Sequence, residues 1–211
     1  MPSEKHTKRS LSRRRSRARR RHLVMTAVIL AALLLALVGV GTWMTLSRRP
    51  QVTVRRYPME YETTIRARAA ENGVDPALAA AVILAESDYQ PEAVSEANAQ
   101  GLMQLLPPTA EWIAGKFDET YAEGSLFDPD TNIKYGCWYL GYLARRFNGN
   151  LTCMIAAYHA GQGRVDEWLS NPDYSPDGAT LTAIPSQATD TYVKRVLKYY
   201  EKYREMYANA G

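Results

Sequence analysis

The distribution of apolar residues predicts one membrane-length helix followed by a mainly helical domain. Residues 23–46 contain no charged residue, and a helix of this length extends about 36 Å, enough to cross a hydrocarbon core of about 30 Å. Further along the chain, apolar residues recur at helical spacing. The predicted helices of the domain are, in order, 61–72, 76–86, a short helix from Pro108, 131–147, 151–160, 165–169 and 189–208.

Capping and proline signals delimit the most apolar of these helices. Asp75 and Pro76 are typical of an N-cap and a first helical position, and the nearly unbroken apolar run that follows ends at Glu86. A helix that is apolar on all sides is a buried helix. Pro91 prevents its continuation. We expect a loop over 92–105 with a short β-ribbon at 101–105, and therefore a mainly α fold with a minor β element.

The charge of the chain is distributed unevenly. The net charge is +4, but residues 1–22 contain ten of the 26 Lys and Arg and one of the 22 acidic residues. The basic character therefore belongs to an N-terminal tail, and the rest of the chain is mildly acidic. A nucleic-acid partner is not expected, because the adjoining apolar segment explains the Arg-rich tail. The excess of Arg before residue 23 places the N-terminus in the cytoplasm and the domain outside.

The apolar segment has two interpretations, an uncleaved anchor and a cleaved signal peptide. A signal peptide has an apolar core of about 7–15 residues that ends at a small-residue cleavage site. The core here is longer and no such site follows it, which favours an anchor. The predicted organisation is a basic cytoplasmic tail (1–22), a transmembrane anchor (23–46), a stem (47–58) and a folded domain (59–206).

The end of the apolar helix carries the first candidate for chemistry, Glu86. A poorly solvated carboxyl group has a raised pKa and can act as a general acid near neutral pH. A Glu in the last turn of a helix is more often a solvated end residue, so position alone leaves both interpretations open.

Four short motifs in the domain add to this signal. They are Glu86-Ser87 with Pro91, Ala93 and Ser95; Gly101-Leu102-Met103-Gln104 with Pro107, Thr109 and Ala110; Asn132-Ile133 with Gly136, Tyr139 and Leu140; and Ala156 to Gly161 with Gly163 and Val165. In type and order they resemble the catalytic domain of the lytic transglycosylases, the goose-lysozyme-like enzymes that cleave peptidoglycan. The resemblance covers about 57–205 and implies a lysozyme-like α+β fold in a bacterial cell envelope.

The resemblance implies roles for individual residues. Glu86 matches the catalytic acid of the family, and the residues that match its sugar groove are Ser87, Ser95, Met103, Gln104, Tyr158 and Tyr192. His159, next to Tyr158, is a further candidate for substrate binding. Two positions depart from the family pattern. His159 stands where the family usually has Asn, and Ala188 stands where it often has Glu.

The number of matched carboxylates implies the reaction. Ordinary glycosidases use two carboxyl groups, but the motifs support Glu86 alone. In the mechanism that the resemblance implies, Glu86 protonates the oxygen between N-acetylmuramic acid and N-acetylglucosamine. As a carboxylate it then takes the proton of the muramoyl 6-hydroxyl, which closes a 1,6-anhydro ring. The alternatives are a hydrolytic muramidase on the same fold and a non-catalytic peptidoglycan-binding scaffold.

The two cysteines and three histidines give weaker signals. Cys137 and Cys153 lie in the exported domain, where a disulfide is permitted, although their offset in a simple helical hairpin exceeds the reach of a bridge. The histidines lack metal-ligand spacing, and we expect no metal and no cofactor. The predicted partners are peptidoglycan glycan strands and the membrane through 23–46, and proteins of the cell envelope are further candidates.

Overall fold

The computed structural model describes residues 57–207 together with Met25, Leu35, Val38 and Gly39. Contacts between residues divide the chain into two units, Met1–Arg56 and Tyr57–Gly211. The predicted tail, most of the predicted anchor and the stem up to residue 56 lie outside the described residues. Within the residues that are described, no helix combines the length and the apolar character needed to cross a bilayer.

The domain is built from helices, as the sequence predicts. Residues 57–207 form α1 (Glu62–Glu71), α2 (Pro76–Ser87), α3 (Pro107–Ala114), a 3₁₀ helix (Ser125–Phe127), α4 (Pro129–Arg146), α5 (Leu151–Ala160), α6 (Gln162–Leu169) and α7 (Gln187–Tyr207). Every predicted helix of the domain is present. The boundary of α4 differs, because the side chain of Asp128 accepts a hydrogen bond from the Thr131 amide and starts the helix at Pro129.

The predicted β-ribbon at 101–105 is wrong. Residues 57–207 contain no strand, and the segment forms two isolated antiparallel bridges, Val94 with Gln100 and Gln100 with Leu105. The reason is the backbone conformation: Gly101 and Gln104 have φ values of 75° and 48°. These left-handed positions turn the chain and prevent an extended strand from continuing.

Helix α2 lies at the centre of the core. Its N-cap Asp75 accepts a 2.9 Å hydrogen bond from the Ala77 amide, as expected. The buried residues of α2 are Ala77, Leu78, Ala79, Ala80, Ala81, Val82, Ile83, Leu84 and Ser87. Helix α7 packs more extensively on α2 than any other described helix does. The all-apolar pattern is therefore confirmed as a buried helix, and Glu86 is carried to its end.

Tyrosine hydroxyls fix α7 against the start of the domain. Tyr203 is fully buried and donates to the Pro58 carbonyl, while Tyr200 donates to the Asp75 carboxylate over 2.8 Å. Because Asp75 also caps α2, the contact sets the axial position of α7 along α2. This position determines which residue of α7 faces Glu86.

Candidate active site

The sharp end of α2 determines where Glu86 lies. Asp88 adopts a left-handed conformation with φ 51° and terminates the helix directly after Ser87. Glu86 is half-buried in the last turn, and Asp88 is exposed. The two acidic side chains therefore have different environments, and Glu86 is the one held against the core.

Tyr192 is the hydrogen-bond donor to Glu86. Its hydroxyl lies 2.6 Å from Glu86 Oε1. Burial raises the pKa of Glu86 above its usual range, and the Tyr192 hydrogen bond and the charge of Arg195 oppose that shift in part. No other carboxylate in residues 57–207 contributes to this pKa. The site thus contains a carboxyl group whose protonated form is favoured by burial and whose charged form accepts a hydrogen bond from Tyr192.

The ring of Tyr192 also contacts two basic residues. The His159 ring lies 4.6 Å away between centroids, and the Arg195 guanidinium carbon lies 5.6 Å from the Tyr192 centroid. His159 Nδ1 is 3.2 Å from the hydroxyl of the buried Thr189. Partial desolvation lowers the pKa of His159, although the residue is exposed in part, and the positive charge of Arg195 lowers that pKa further. Near neutral pH, therefore, His159 is mainly the uncharged imidazole.

Tyr158 connects the fourth motif to the second. Its hydroxyl donates to the Met103 carbonyl over 2.8 Å, and its ring lies 5.5 Å from that of Tyr139. Part of the residue remains accessible while its hydroxyl is enclosed. Burial and the charge of Glu86 raise the pKa of Tyr158 well above its usual value. Tyr158 thus lies beside the catalytic candidate and supports the loop that carries Met103.

Asn132 holds that loop in place. Its side-chain amide donates to the carbonyls of Gln100 and Leu126 over 2.9 and 2.8 Å, and its oxygen accepts from the Met103 amide over 2.8 Å. The residue is completely buried. A buried side-chain amide whose hydrogen bonds are all formed fixes the segments that it joins in one arrangement. Asn132, from the third motif, therefore holds the loop that carries the second motif.

Two glycines make room for the same loop. At Gly136 a Cβ atom would lie 2.1 Å from Met103 Sδ, so α4 can accept the buried Met103 side chain only if it has a glycine there. At Gly101, with φ 75°, a Cβ would lie 2.1 Å from the Leu126 carbonyl oxygen and 2.2 Å from Asn132 Nδ2. Both motif glycines are thus explained by close packing.

The other predicted groove residues occupy different positions. Ser87 is buried and donates to the Leu102 carbonyl over 2.8 Å. Gln104 is half-buried, and its amide donates to the carbonyls of Ala93 and Gly101. Ser95 is exposed and its hydroxyl accepts from the Ala99 amide. Glu86, Tyr158, His159 and Tyr192 form one cluster, whereas Ser87, Met103 and Gln104 support the loop beside it.

Two residues of this cluster were absent from the sequence-based prediction. Arg195 lies three residues after Tyr192 on α7, a spacing that places both on one side of a helix. The position of Arg195 beside the site could therefore be predicted from that of Tyr192. Thr189 also lies three residues from Tyr192, but its contact with His159 joins α7 to α5, and no local pattern predicts such a contact.

Neither cysteine takes part in the site. Cys137 and Cys153 are buried free thiols, and burial raises the pKa of Cys137 to about 12. In the described part of the chain, no group of three or more His, Cys, Asp or Glu side chains could hold a metal ion. Two surface cavities, of about 320 and 350 Å³, are lined by other residues than Glu86 and Tyr192.

Comparison with known families agrees with the motif resemblance. Residues 63–179 match the family described as Transglycosylase SLT domain. The soluble lytic murein transglycosylase of Escherichia coli (strain K12) is 37% identical over 152 residues, which cover 71% of this chain and 24% of the relative. The chain thus spans about a quarter of the length of this relative.

Two further relatives add a membrane-bound protein and a solved structure. The membrane-bound lytic murein transglycosylase C of Actinobacillus pleuropneumoniae (strain L20) is 34% identical over 166 residues, covering 68% of this chain and 46% of the relative. The crystal structure of an inactive glutamate-to-glutamine mutant of lytic transglycosylase Slt from Pseudomonas aeruginosa superposes with a TM-score of 0.65 at 36% identity. The match covers 72% of this chain and 25% of that one.

Proposed function

Because this chain belongs to the Transglycosylase SLT domain family, we propose that its folded domain is a lytic transglycosylase of peptidoglycan. The bond cleaved is the β-1,4 linkage between N-acetylmuramic acid and N-acetylglucosamine. The observation that carries the proposal is the Glu86 carboxyl group: it is half-buried, its pKa is raised, and its donor is the Tyr192 hydroxyl. A general acid needs such a pKa in order to hold its proton near neutral pH.

In the first step, Glu86 acts as the acid. Its proton moves to the glycosidic oxygen as the bond from that oxygen to C1 of the muramoyl residue breaks, and the N-acetylglucosamine leaves as an alcohol. Positive charge develops at C1 and Glu86 becomes a carboxylate. The Tyr192 hydroxyl and the positive charge of Arg195 stabilise that carboxylate, so they oppose the cost of forming a charge in a buried site.

In the second step, Glu86 acts as the base. It takes the proton of the muramoyl 6-hydroxyl, whose oxygen attacks C1 and closes the 1,6-anhydro ring. No water is consumed, and Glu86 is protonated again at the end. The reaction needs one carboxyl group because the substrate supplies the nucleophile. This agrees with the finding that no other carboxylate in residues 57–207 influences the pKa of Glu86.

We propose that the sugar groove is lined by the predicted residues around Glu86. Tyr158, His159 and Tyr192 would supply ring faces with polar atoms at their edges, which suit sugar rings. Ser95 is exposed and able to donate to a sugar oxygen. The proposed substrate-binding set also includes Ser87, Met103 and Gln104, whose present contacts support the loop.

We further propose that residues 23–46 anchor the domain to the bacterial cell membrane in a single pass. The segment has no charged residue, and the Arg-rich residues before it favour a cytoplasmic N-terminus. The name of the membrane-bound A. pleuropneumoniae relative supports membrane association. The substrate would then be glycan outside the membrane, within reach of residues 47–60, which span at most about 50 Å when extended.

Digestion of purified sacculi with the detergent-solubilised full chain tests the proposed reaction. We expect soluble muropeptides that end in 1,6-anhydro sugars and are lighter by one water than hydrolytic products in a mass spectrum. Glu86→Gln should abolish release, while the matched control Glu92→Gln, at an exposed carboxyl group on the following loop, should retain it. Reducing-end products would instead establish a muramidase. Release that survives Glu86→Gln would refute the assigned role of Glu86, and no release by the wild type would refute the activity.

A further inference from the structure

Arg195 is an exposed cation beside the proposed catalytic centre. Its guanidinium carbon lies 5.6 Å from the centroid of the Tyr192 ring, and the hydroxyl of that ring donates to Glu86. The charge of Arg195 lowers the pKa of both Glu86 and His159. Within residues 57–207 no carboxylate lies at ion-pairing distance from Arg195. Its hydrogen-bond donors are therefore available to a ligand.

Two other basic residues of α7 form close ion pairs, unlike Arg195. Lys194 pairs with Asp190 over 2.6 Å, and Lys202 pairs with Glu205 over 2.7 Å. Lys198 is also exposed and has no ion pair in residues 57–207, but it lies six residues after Tyr192, whereas Arg195 lies over the Tyr192 ring. Proximity to the catalytic centre thus distinguishes Arg195.

His159 supplies a second polar group on the same ring. It is exposed, and its ring centroid lies 4.6 Å from that of Tyr192. Its Nδ1 lies 3.2 Å from the Thr189 hydroxyl, which also lies 3.1 Å from Ser186 Oγ. The tautomer whose Nδ1 accepts from the Thr189 hydroxyl carries its proton on Nε2, and Nε2–H is then a donor for a carboxylate. Nε2 has no hydrogen-bond partner within residues 57–207.

The same rim lacks a free carboxylate. Ala188, four residues before Tyr192 on α7, is exposed, and the Asp190 carboxylate in the same turn is paired with Lys194. An acidic side chain at position 188 would repel an anionic group of the substrate or neutralise Arg195.

From this geometry we propose that Arg195 and His159 form a recognition site for a carboxylate carried by the muramoyl residue of the substrate. The inference rests on the proposed function. Muramic acid has a lactyl group whose carboxylate is free in glycan without stem peptides and is an amide in peptide-bearing glycan, where the peptide carries other carboxylates. A guanidinium binds either kind of carboxylate through paired hydrogen bonds.

Steady-state kinetics of the full chain on three substrates tests this proposal. The first is peptide-free glycan with free lactyl carboxylates, the second is the same glycan with those carboxylates converted to methylamides, and the third is peptide-bearing glycan. We expect Arg195→Gln to raise KM about tenfold on a carboxylate-bearing substrate and about twofold or less on the methylamide, while the fall in kcat that follows from its charge near Glu86 is the same on all three substrates. The matched control Lys198→Gln removes the same charge and should change no substrate by more than about twofold.

The pattern across substrates identifies the carboxylate. An effect on peptide-free glycan alone assigns the lactyl carboxylate, and an effect on peptide-bearing glycan alone assigns a carboxylate of the stem peptide. His159→Phe should show the same substrate dependence with a smaller effect, because it removes Nε2 and keeps an aromatic ring. An equal rise in KM on all three substrates, or no rise in KM, would overturn the inference while leaving the proposed reaction intact. Inactivity of the wild type on every substrate would overturn both.

Discussion

The hydroxyl of Tyr192 donates a 2.6 Å hydrogen bond to Oε1 of Glu86, across 106 residues of sequence. Tyr192 is 2% exposed, so the bond forms in a poorly solvated site. A hydrogen bond to the charged form of a carboxyl group lowers its pKa, whereas burial raises it. Burial has the larger effect here. Burial thus favours the protonated form of Glu86, and the Tyr192 hydrogen bond stabilises the carboxylate that forms when Glu86 loses its proton.

Replacement of Tyr192 by Phe should move the pH dependence of the reaction. Without the hydroxyl, the pKa of Glu86 rises further, so the alkaline limb of the plot of kcat/KM against pH shifts to higher pH. We expect activity at the optimum to fall about 10- to 100-fold, because the carboxylate formed in the first step loses its donor. Tyr199→Phe is the matched control, since Tyr199 is on the same helix with no hydroxyl hydrogen bond in the domain. A limb that stays in place or moves to lower pH would contradict the assignment.

Removal of the Ser87 hydroxyl should act on stability. Its donation to the Leu102 carbonyl is buried, so Ser87→Ala leaves that oxygen without this donor and should cost about 1–2 kcal/mol of the free energy of unfolding. Denaturant titration measures this loss. Kinetics on sacculi provide the discriminating readout: an unchanged KM identifies Ser87 as support for the loop, and a raised KM at unchanged stability identifies it as a sugar contact.

Asn132 should be among the most sensitive polar positions of the domain. Asn132→Ala leaves the carbonyls of Gln100 and Leu126 and the amide of Met103 without their partner, and we expect a loss of about 3–5 kcal/mol. Asn150→Ala is the comparison, because it removes one N-cap hydrogen bond to the Cys153 amide and should cost about 1 kcal/mol. Thermal unfolding followed by circular dichroism gives both values. Equal losses of stability in the two variants would contradict this prediction, because the three hydrogen bonds of Asn132 would then stabilise the domain no more than the one cap hydrogen bond of Asn150.

The contact of Gly136 with Met103 predicts a coupled pair. Gly136→Ala alone should destabilise the domain by about 1–3 kcal/mol, since the new methyl group overlaps Met103 Sδ. Met103→Ala alone should cost about 2–5 kcal/mol by opening a cavity. In the double variant the methyl group occupies space that Met103 has vacated. The loss of stability in the double variant should therefore be smaller than the sum of the two single losses, by at least about 0.5 kcal/mol. Additive losses would show that the two residues act independently.

Local patterns were sufficient for the helices of this domain and for the position of Glu86. Asp75 and Pro76 start α2, and its apolar residues face the core on every side, because an α-helix repeats its faces every 3.6 residues. The family motifs then selected Glu86 from the other acidic residues, which periodicity alone could not do. The predicted β-ribbon failed because Gly101, with φ 75°, turns the chain where it packs against Asn132 and Leu126. These are contacts between residues distant in sequence.

The sequence by itself determined the helical framework, the family and the single supported carboxyl group. Only the tertiary structure decided what surrounds that carboxyl group, because Tyr192 reaches it through the packing of α7 on α2, and His159 meets the Tyr192 ring through the packing of α5 on α7. The same packing separated Ser87 and Gln104, whose polar atoms support the loop, from the cluster around Glu86. Hydrogen-bond partners and desolvation are properties of three-dimensional neighbours, and the pKa of Glu86 depends on both.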